Sequence, residues 1–450
     1  MKKILIIGGG YGGLKCAKVL EKKLAHKAEI TLVSRHDYHY QTTLLHKVAC
    51  GTYNPRKARI FYRNVLDTSK VNFVRDNIDE IDFDARVAIG QRGRYEYDYI
   101  VIALGFEVKD FGIKGVKDYA FWLGSVNTAL KLNERIEKLF KDYIFDEPAK
   151  RENDLKFAVV GSGFTGVEFA AELAIRGVEL CKIRGIDPSA MQITLISRGS
   201  RILPMFDEKL SKKAAAKLAS IGVKIVQGNA VEVCEDGVVI EREVAMESNT
   251  ESNSVLANAE KGASECAAAS GEAASCKTAS GEAASGEKKM VKIREKIPAK
   301  TVLWSAGVKG SSVVGATKCN TKDDKIIVNA NLKAPEFDNV FVVGDSALAT
   351  SRDTFHAPTA QLSEQMGEYV AKAIIREVRG EQNKTPFAFF NKGTVCSIGH
   401  TDAVGVAFKV NISGEVGAFL KNFIENKWLF TLGGLKLVLK KGQFRFRSSD

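Results

Sequence analysis

The pattern Gly-x-Gly-x-x-Gly occurs twice, at Gly8, Gly10 and Gly13 and again at Gly161, Gly163 and Gly166, each time between an apolar run and a helix-forming stretch. Residues 2–7 (KKILII) read as a buried strand, 14–24 as a helix and 29–33 as a second strand; residues 155–160, 167–175 and 192–196 repeat that order. Such a unit cradles a pyrophosphate, because small residues let the backbone approach it and the helix N-terminus offers free N–H groups to its charge. One motif alone is equally an ordinary tight turn. Two in the same context imply an α/β chain with two Rossmann-like dinucleotide-binding domains, since one cofactor has no need of both. FAD in one domain and NADH or NADPH in the other is the arrangement that lets hydride pass from ring to ring. The expected division is an FAD-binding domain over 1–115 and 312–390, an NAD(P)H-binding domain over 116–311, and a C-terminal region over 391–450.

Composition narrows the class. The 450 residues are 45% hydrophobic and 27% charged, with no apolar run near the roughly 18 residues that a spanning helix needs. The opening Ile4, Leu5, Ile6 and Ile7 are too few for a signal-peptide core, so a cytoplasmic protein is expected. The eight cysteines include no Cys-x-x-Cys pair, which predicts unpaired thiols and disfavours a disulfide relay. His36, His39 and His46 lie close in sequence without matching cysteines or carboxylates; surface or packing roles are expected of them, and no metal site. Residues 248–289 turn to Ala, Ser, Gly and Glu, with ASGEAAS at 269–275 and again at 279–285. Such a segment buries no core and is expected to be a mobile excursion at the tip of a hairpin whose legs are 237–241 and 290–294.

The net charge is +12, and the last thirty residues hold Lys421, Lys427, Lys436, Lys440, Lys441, Arg445 and Arg447 against Glu425 and Asp450. Val416, Phe419, Leu420, Phe423 and Ile424 follow the spacing of one helix face, with Lys421, Asn422 and Glu425 opposite. The reading is an amphipathic, membrane-associating C-terminal region: the apolar face enters lipid, Trp428 sits at the interface, and the lysines from Lys427 to Lys441 meet anionic headgroups. The expected location is peripheral, on the cytoplasmic face of the cell membrane. A competing cover for the face is the protein's own domains or a second subunit in a homodimer. A basic flavoprotein working on nucleic acid is the rival the charge permits, but the amphipathic tail fits a membrane better than a phosphate-tracking groove, and no nucleic-acid partner is expected.

Residues 8–13, 159–168, 103–105 (ALG), 304–307 (WSAG) and 342–345 (VVGD) together resemble the two-dinucleotide-binding-domain flavoproteins. Within them, 41–51 (QTTLLHKVACG), 185–188 (GIDP), 201–207 (RILPMFD) and 358–361 (PTAQ) resemble the type II NADH dehydrogenases, single-chain NADH:quinone oxidoreductases. The likeness spans nearly the whole chain apart from the low-complexity insertion. It implies ping-pong transfer without proton pumping: hydride from NAD(P)H to flavin, then two electrons to a membrane quinone. Ala103, Gly105, Gly307 and Gly344 enter the cofactor-binding set with it, and Asp345 is expected to accept hydrogen bonds from the ribityl chain, although an aspartate after a strand also serves as a helix cap. Glu168 is expected near the meeting of nicotinamide and flavin; the alternative is a first-turn glutamate complementing the helix dipole. Gln361 and Gln365, four apart on one helix face, match the family's stretch beside the quinone pocket, the alternative being a solvated polar face. Of the catalytic set Glu168, Gln361 and Gln365, none is indispensable, since the cofactor carries the chemistry; orientation and proton handling are their expected work.

The chain departs from the pattern at both second strands, which end in Ser34-Arg35 and Ser197-Arg198 where an acid usually binds ribose hydroxyls. At the second site, serine and arginine suit a 2′-phosphate, which makes NADPH a candidate donor. The rival within enzymes is sulfide:quinone oxidoreductase, with Cys50, Cys181 or Cys396 as the attacking thiols; their surroundings do not resemble that family's cysteine motifs.

Overall fold

The computed structural model describes residues 1–24, 26–145, 154–245, 290–351 and 354–444. Contacts divide the chain into two compact units, Met1–Lys109 with Leu123–Lys131 and Gly307–Asp450, and Asp110–Trp122 with Leu132–Ala306. The C-terminal stretch thus packs within the first unit.

In the first unit, five parallel strands form one sheet in the order Val340–Val342, Tyr99–Ile102, Lys2–Ile7, Ala28–Ser34 and Asn72–Arg75. Ile4, Leu5, Ile6 and Ile7 are buried without alternation, the pattern of a parallel strand covered on both faces. The helix Tyr11–Lys23 leaves the central strand through the first glycine motif and packs against Ala360–Val378. The two helices approach so closely at Gly12 and Gly367 that a Cβ on Gly367 would overlap the Gly12 carbonyl. The second unit repeats the plan, with parallel strands in the order Ala120–Phe121, Thr301–Trp304, Lys156–Val160, Gln192–Ser197 and Val223–Gln227. Its central strand again leads through a glycine motif into a helix, Phe164–Arg184. Both units are therefore Rossmann-like, with ligand space expected at the carboxyl ends of the strands.

The last part of the first unit is a three-stranded antiparallel sheet (Gly393–Ser397, Ala403–Ala407, Val410–Ser413) and the helix Gly414–Lys441, broken at Gly433 and Gly434. The helix is amphipathic, with its apolar face turned outward. Lys421, Asn422 and Glu425 are buried, Glu425 to 4% exposure, whereas Val416, Phe419, Phe423, Ile424 and Phe430 stand outside, Val416 at 68%. Leu420 is half-buried against Val395, Ala403 and Ala418. Two expectations are corrected. Trp428 is in the core beside Leu429 and Leu432, not at an outer interface. Lys441 does not face headgroups: its ammonium donates to the carbonyls of Arg56 (3.0 Å), Lys57 (3.3 Å) and Arg59 (2.7 Å). Lys427, Lys436 and Lys440 are exposed as expected, and Arg445 and Arg447 lie outside the described residues. No helix of the described residues is long and apolar enough to cross a membrane.

The two legs foreseen around the low-complexity stretch do pair. Gly237–Ala245 and Met290–Pro298 run antiparallel in continuous register, ending at Ala245 opposite Met290. Arg242 to Glu295 (2.6 Å) and Arg294 to Glu241 (2.7 Å) bridge them. The expected excursion, 248–289, lies outside the described residues. Because the register closes at Ala245 and Met290, replacing 246–289 by Asn-Gly should give a two-residue hairpin. The shortened protein is expected to stay soluble with its flavin-to-protein absorbance ratio unchanged; loss of either would show that the segment packs.

Candidate functional site

The first glycine motif divides its labour by position. Gly8 has φ +99° and lies against the Ala103 carbonyl, and Gly13 lies against the Gly8 carbonyl; a Cβ at either would overlap backbone. At Gly10 a Cβ would meet nothing within 4 Å. Gly8 and Gly13 thus set the turn, while Gly10 leaves open space beside the helix N-terminus. A Cβ on Gly9 would overlap the Tyr62 hydroxyl. The Gly9 carbonyl accepts the Tyr62 hydroxyl at 2.9 Å and faces His39 Nδ1 at 3.1 Å. Tyr62 also lies 3.5 Å from Ser34 Oγ, so the serine in the usual acid's place joins the same network, while Arg35 is exposed. Nothing in the sequence marked Tyr62. His39, for which the sequence suggests a surface or packing role, is buried.

Further along the same sheet edge, Gly105 has φ +75° with open space around it, and Ala103 is buried. Gly344 has φ +67° and begins the turn Gly344–Ser346. Asp345 caps no helix: that turn has no side-chain cap, and the long helix Ala360–Val378 is capped by Thr359, whose hydroxyl accepts from Leu362 N at 3.1 Å. No described residue hydrogen-bonds the Asp345 carboxylate, and burial pushes its pKa above the ordinary range, with Lys325 opposing. A half-buried carboxylate in that condition gains from a donor such as a ligand hydroxyl.

In the second unit Gly161 (φ +108°) lies against Ser305, Gly166 against the Gly161 carbonyl, and Gly163 again faces open space. Ser305 Oγ donates to the carbonyls of Val160 (2.9 Å) and Gly161 (3.2 Å), fixing the strand end. Ser197 is buried and its hydroxyl is committed to Ser162 Oγ (2.8 Å) and the Gly199 carbonyl (2.9 Å), leaving Arg198 as the exposed member of that pair. Glu168 is buried, and it stands beyond the helix's first turn, which holds no acidic residue. The first-turn alternative for it is thereby corrected. Gly307 belongs to the first unit, its carbonyl accepting from Lys109 N at 3.1 Å.

Gln361 and Gln365 do share a helix face, but both amides are engaged with one stretch of backbone. Gln361 donates to the Gly393 carbonyl (3.1 Å) and accepts from Lys392 N (2.8 Å); Gln365 donates to the Phe390 carbonyl (3.0 Å) and accepts from Phe390 N (3.0 Å). In this geometry they pin residues 390–393. Cys50, Cys181 and Cys396 are buried, and burial pushes the Cys181 thiol up. Among the described residues no group of His, Cys, Asp and Glu is arranged to hold a metal.

Two Rossmann sheets, each ending in a glycine loop with one open position, define a dinucleotide-using oxidoreductase of the flavoprotein type. The family model for pyridine nucleotide-disulphide oxidoreductases matches residues 2–367. The type II NADH:quinone oxidoreductase of Staphylococcus aureus strain MSSA476 is 35% identical over 447 residues, covering 98% of this chain and 99% of the relative, and that of strain NCTC 8325 matches equally. The chain belongs to the type II NADH:quinone oxidoreductase family. Among solved structures, the NDH2 of Plasmodium falciparum in complex with NADH superposes with a TM-score of 0.77 at 16% identity, covering 98% of this chain and 97% of that one. The sulfide:quinone oxidoreductase of Aquifex aeolicus gives 0.72 at 19%, covering 96% and 92%. At these identities the likeness is one of fold.

Asp345→Ala removes a half-buried acceptor that no described residue uses. Bound flavin is expected to weaken by about tenfold to a hundredfold, the range of a hydrogen bond to a charged group. The ratio of flavin to protein absorbance after gel filtration measures it; an unchanged ratio would return Asp345 to a structural role.

Proposed function

We propose that this protein is an FAD-dependent NAD(P)H:quinone oxidoreductase whose first glycine loop holds FAD and whose second holds the nicotinamide nucleotide. The observation that carries the reading is the pair of open loop positions, Gly10 and Gly163, in a chain 35% identical over 98% of its length to type II NADH:quinone oxidoreductases. FAD, when bound, supplies the redox chemistry, accepting hydride from the nucleotide and yielding two electrons to the quinone. The chain's own residues bind and orient. The N–H groups opening the helix Tyr11–Lys23 meet the FAD pyrophosphate, and Asp345 accepts from the ribityl hydroxyls. Glu168, buried on the helix that begins at the second loop, orients the donor or handles its proton. Gln361 and Gln365 shape the quinone end by fixing residues 390–393. The test is to reduce the yellow protein anaerobically with NADH or NADPH, add a quinone, and follow the return of the flavin absorbance. Bleaching by sulfide without any nucleotide would favour the sulfide:quinone alternative.

The donor choice turns on Arg198, exposed where the usual acid would repel a 2′-phosphate. Arg198→Ala should raise the KM for NADPH by about tenfold to a hundredfold and leave NADH nearly unchanged. Equal use of both nucleotides before and after the substitution would remove Arg198 from the site.

The C-terminal helix supports a peripheral place on a membrane, the cytoplasmic face being the side on which NAD(P)H is available. Phe419, Phe423 and Phe430 stand outside with Lys427, Lys436 and Lys440 beside them, the mixture that enters a headgroup layer. A quinone then reaches the enzyme from the bilayer. Point substitution tests this better than truncation, because the same helix gives Trp428, Leu429 and Leu432 to the core. Phe419→Ser with Phe423→Ser should abolish sedimentation with anionic liposomes while turnover of a water-soluble quinone persists. If the free protein is a dimer that the same pair of substitutions dissociates, a second subunit covers the face.

A further inference from the structure

Trp428, on the C-terminal helix, and His39, just after the second strand, meet behind the first glycine loop. The indole Nε1 of Trp428 lies 2.9 Å from His39 Nε2, and His39 Nδ1 lies 3.1 Å from the Gly9 carbonyl. Both side chains are buried, Trp428 to 5% exposure and His39 to 1%. Tyr11, the first residue of the helix that the loop opens, packs its ring 5.0 Å from each of theirs.

The chemistry of the groups fixes the direction of these bonds. An indole N–H only donates, so His39 Nε2 must accept. A neutral imidazole then carries its proton on Nδ1 and donates it to Gly9. Burial keeps the ring neutral, drawing its pKa down to about 4. The Gly9 carbonyl accepts from the Tyr62 hydroxyl as well. A carbonyl oxygen turned toward a pyrophosphate would repel it, whereas one held by two donors inside the protein leaves the N–H groups of the loop to face the ligand.

We infer that Trp428 and His39 are positioning residues for the flavin: the chain Trp428 Nε1–H to His39 Nε2, then His39 Nδ1–H to the Gly9 carbonyl, holds the pyrophosphate loop in its binding form. The inference rests on the assignment of FAD to the first loop. It makes the C-terminal helix part of the cofactor site at a distance, since the indole that sets the histidine tautomer is 389 positions away in sequence.

The experiment follows FAD release from purified holoenzyme of the wild type and of Trp428→Phe, His39→Leu, His39→Gln and the double variant Trp428→Phe with His39→Leu. Trp428→Phe keeps an aromatic ring without the donor, and His39→Leu removes both bonds; each should speed release by about tenfold. Glutamine can accept from an indole and donate to a carbonyl, so His39→Gln should restore retention to within about threefold of the wild type. The double variant should release no faster than His39→Leu alone, because both residues act through one carbonyl. NADH affinity, read at the second loop, should be the same throughout, which separates a local effect from general unfolding. Wild-type release rates in Trp428→Phe and His39→Leu would overturn the inference. So would release from His39→Gln as fast as from His39→Leu, since packing rather than hydrogen bonding would then hold the loop. A wild type that binds no FAD would instead overturn the functional assignment on which this one stands.

Discussion

The contact on which the first unit depends is the one between Gly13 and the Gly8 carbonyl, where a helix lies directly on the turn it has just left. Any side chain at Gly13 would push the helix away from the strand end. The helix N-terminus would then miss the space at Gly10, and Gly12 would lose its close approach to Gly367 on the neighbouring helix. The second unit repeats the contact with Gly166 on the Gly161 carbonyl. A steric condition of this kind is local, involving residues five apart, and it therefore shows in the sequence as spacing.

This locality explains what could be read and what could not. The parallel sheets follow from continuous apolar strands such as 2–7, and the hairpin Gly237–Ala245 with Met290–Pro298 from legs whose own pattern survives a long interruption. The helix over Gly414–Lys441 announces itself by periodicity, but periodicity does not say which face turns inward. Its inner face is polar because its partners are: Gln41 donates to the Glu425 carbonyl (3.2 Å), Tyr53 to the Lys441 carbonyl (2.7 Å), and Lys47 to Gln443 (2.6 Å). Those partners lie nearly four hundred residues upstream, within and just after the stretch 41–51 that marks the family. The backbone at 390–393 that engages the amides of Gln361 and Gln365 likewise leaves no local signal in the sequence. Asp345 and Glu168 are singled out by motif alone, and only the fold shows that neither serves the capping or first-turn role open to it.

A helix docked through buried polar groups is tied more specifically than one docked through leucines. Moving Lys441 away from three carbonyls, or Glu425 away from Gln443, would strand a charge or a polar group inside the protein. Leaving a buried donor or acceptor without its hydrogen-bond partner costs about 1–3 kcal/mol. An apolar seam tolerates a shift of register that this arrangement does not. Trp428 follows from the same logic, because its single donor has one acceptor to reach, and that acceptor orients the histidine beneath the glycine loop.

The outer face of that helix then has a distinct meaning. Val416, Phe419, Phe423, Ile424 and Phe430 would each contribute about 1.5–3 kcal/mol if fully buried, and at exposures from 46% to 68% the folded chain realises only part of it. A helix whose whole task was to close the core would turn these residues inward and place Lys421, Asn422 and Glu425 in water. Here the first half of the helix shows the reverse, with Lys421, Asn422 and Glu425 turned to the protein and these apolar side chains turned outward, while Trp428, Leu429 and Leu432 further along enter the core. The proposed membrane reading draws on Lys427, Lys436 and Lys440, exposed along the same helix, as groups suited to anionic headgroups. The inner fastening is what permits the apolar display: held by buried hydrogen bonds and by Trp428, Leu429 and Leu432 in the core, the helix does not depend on its outer phenylalanines for attachment.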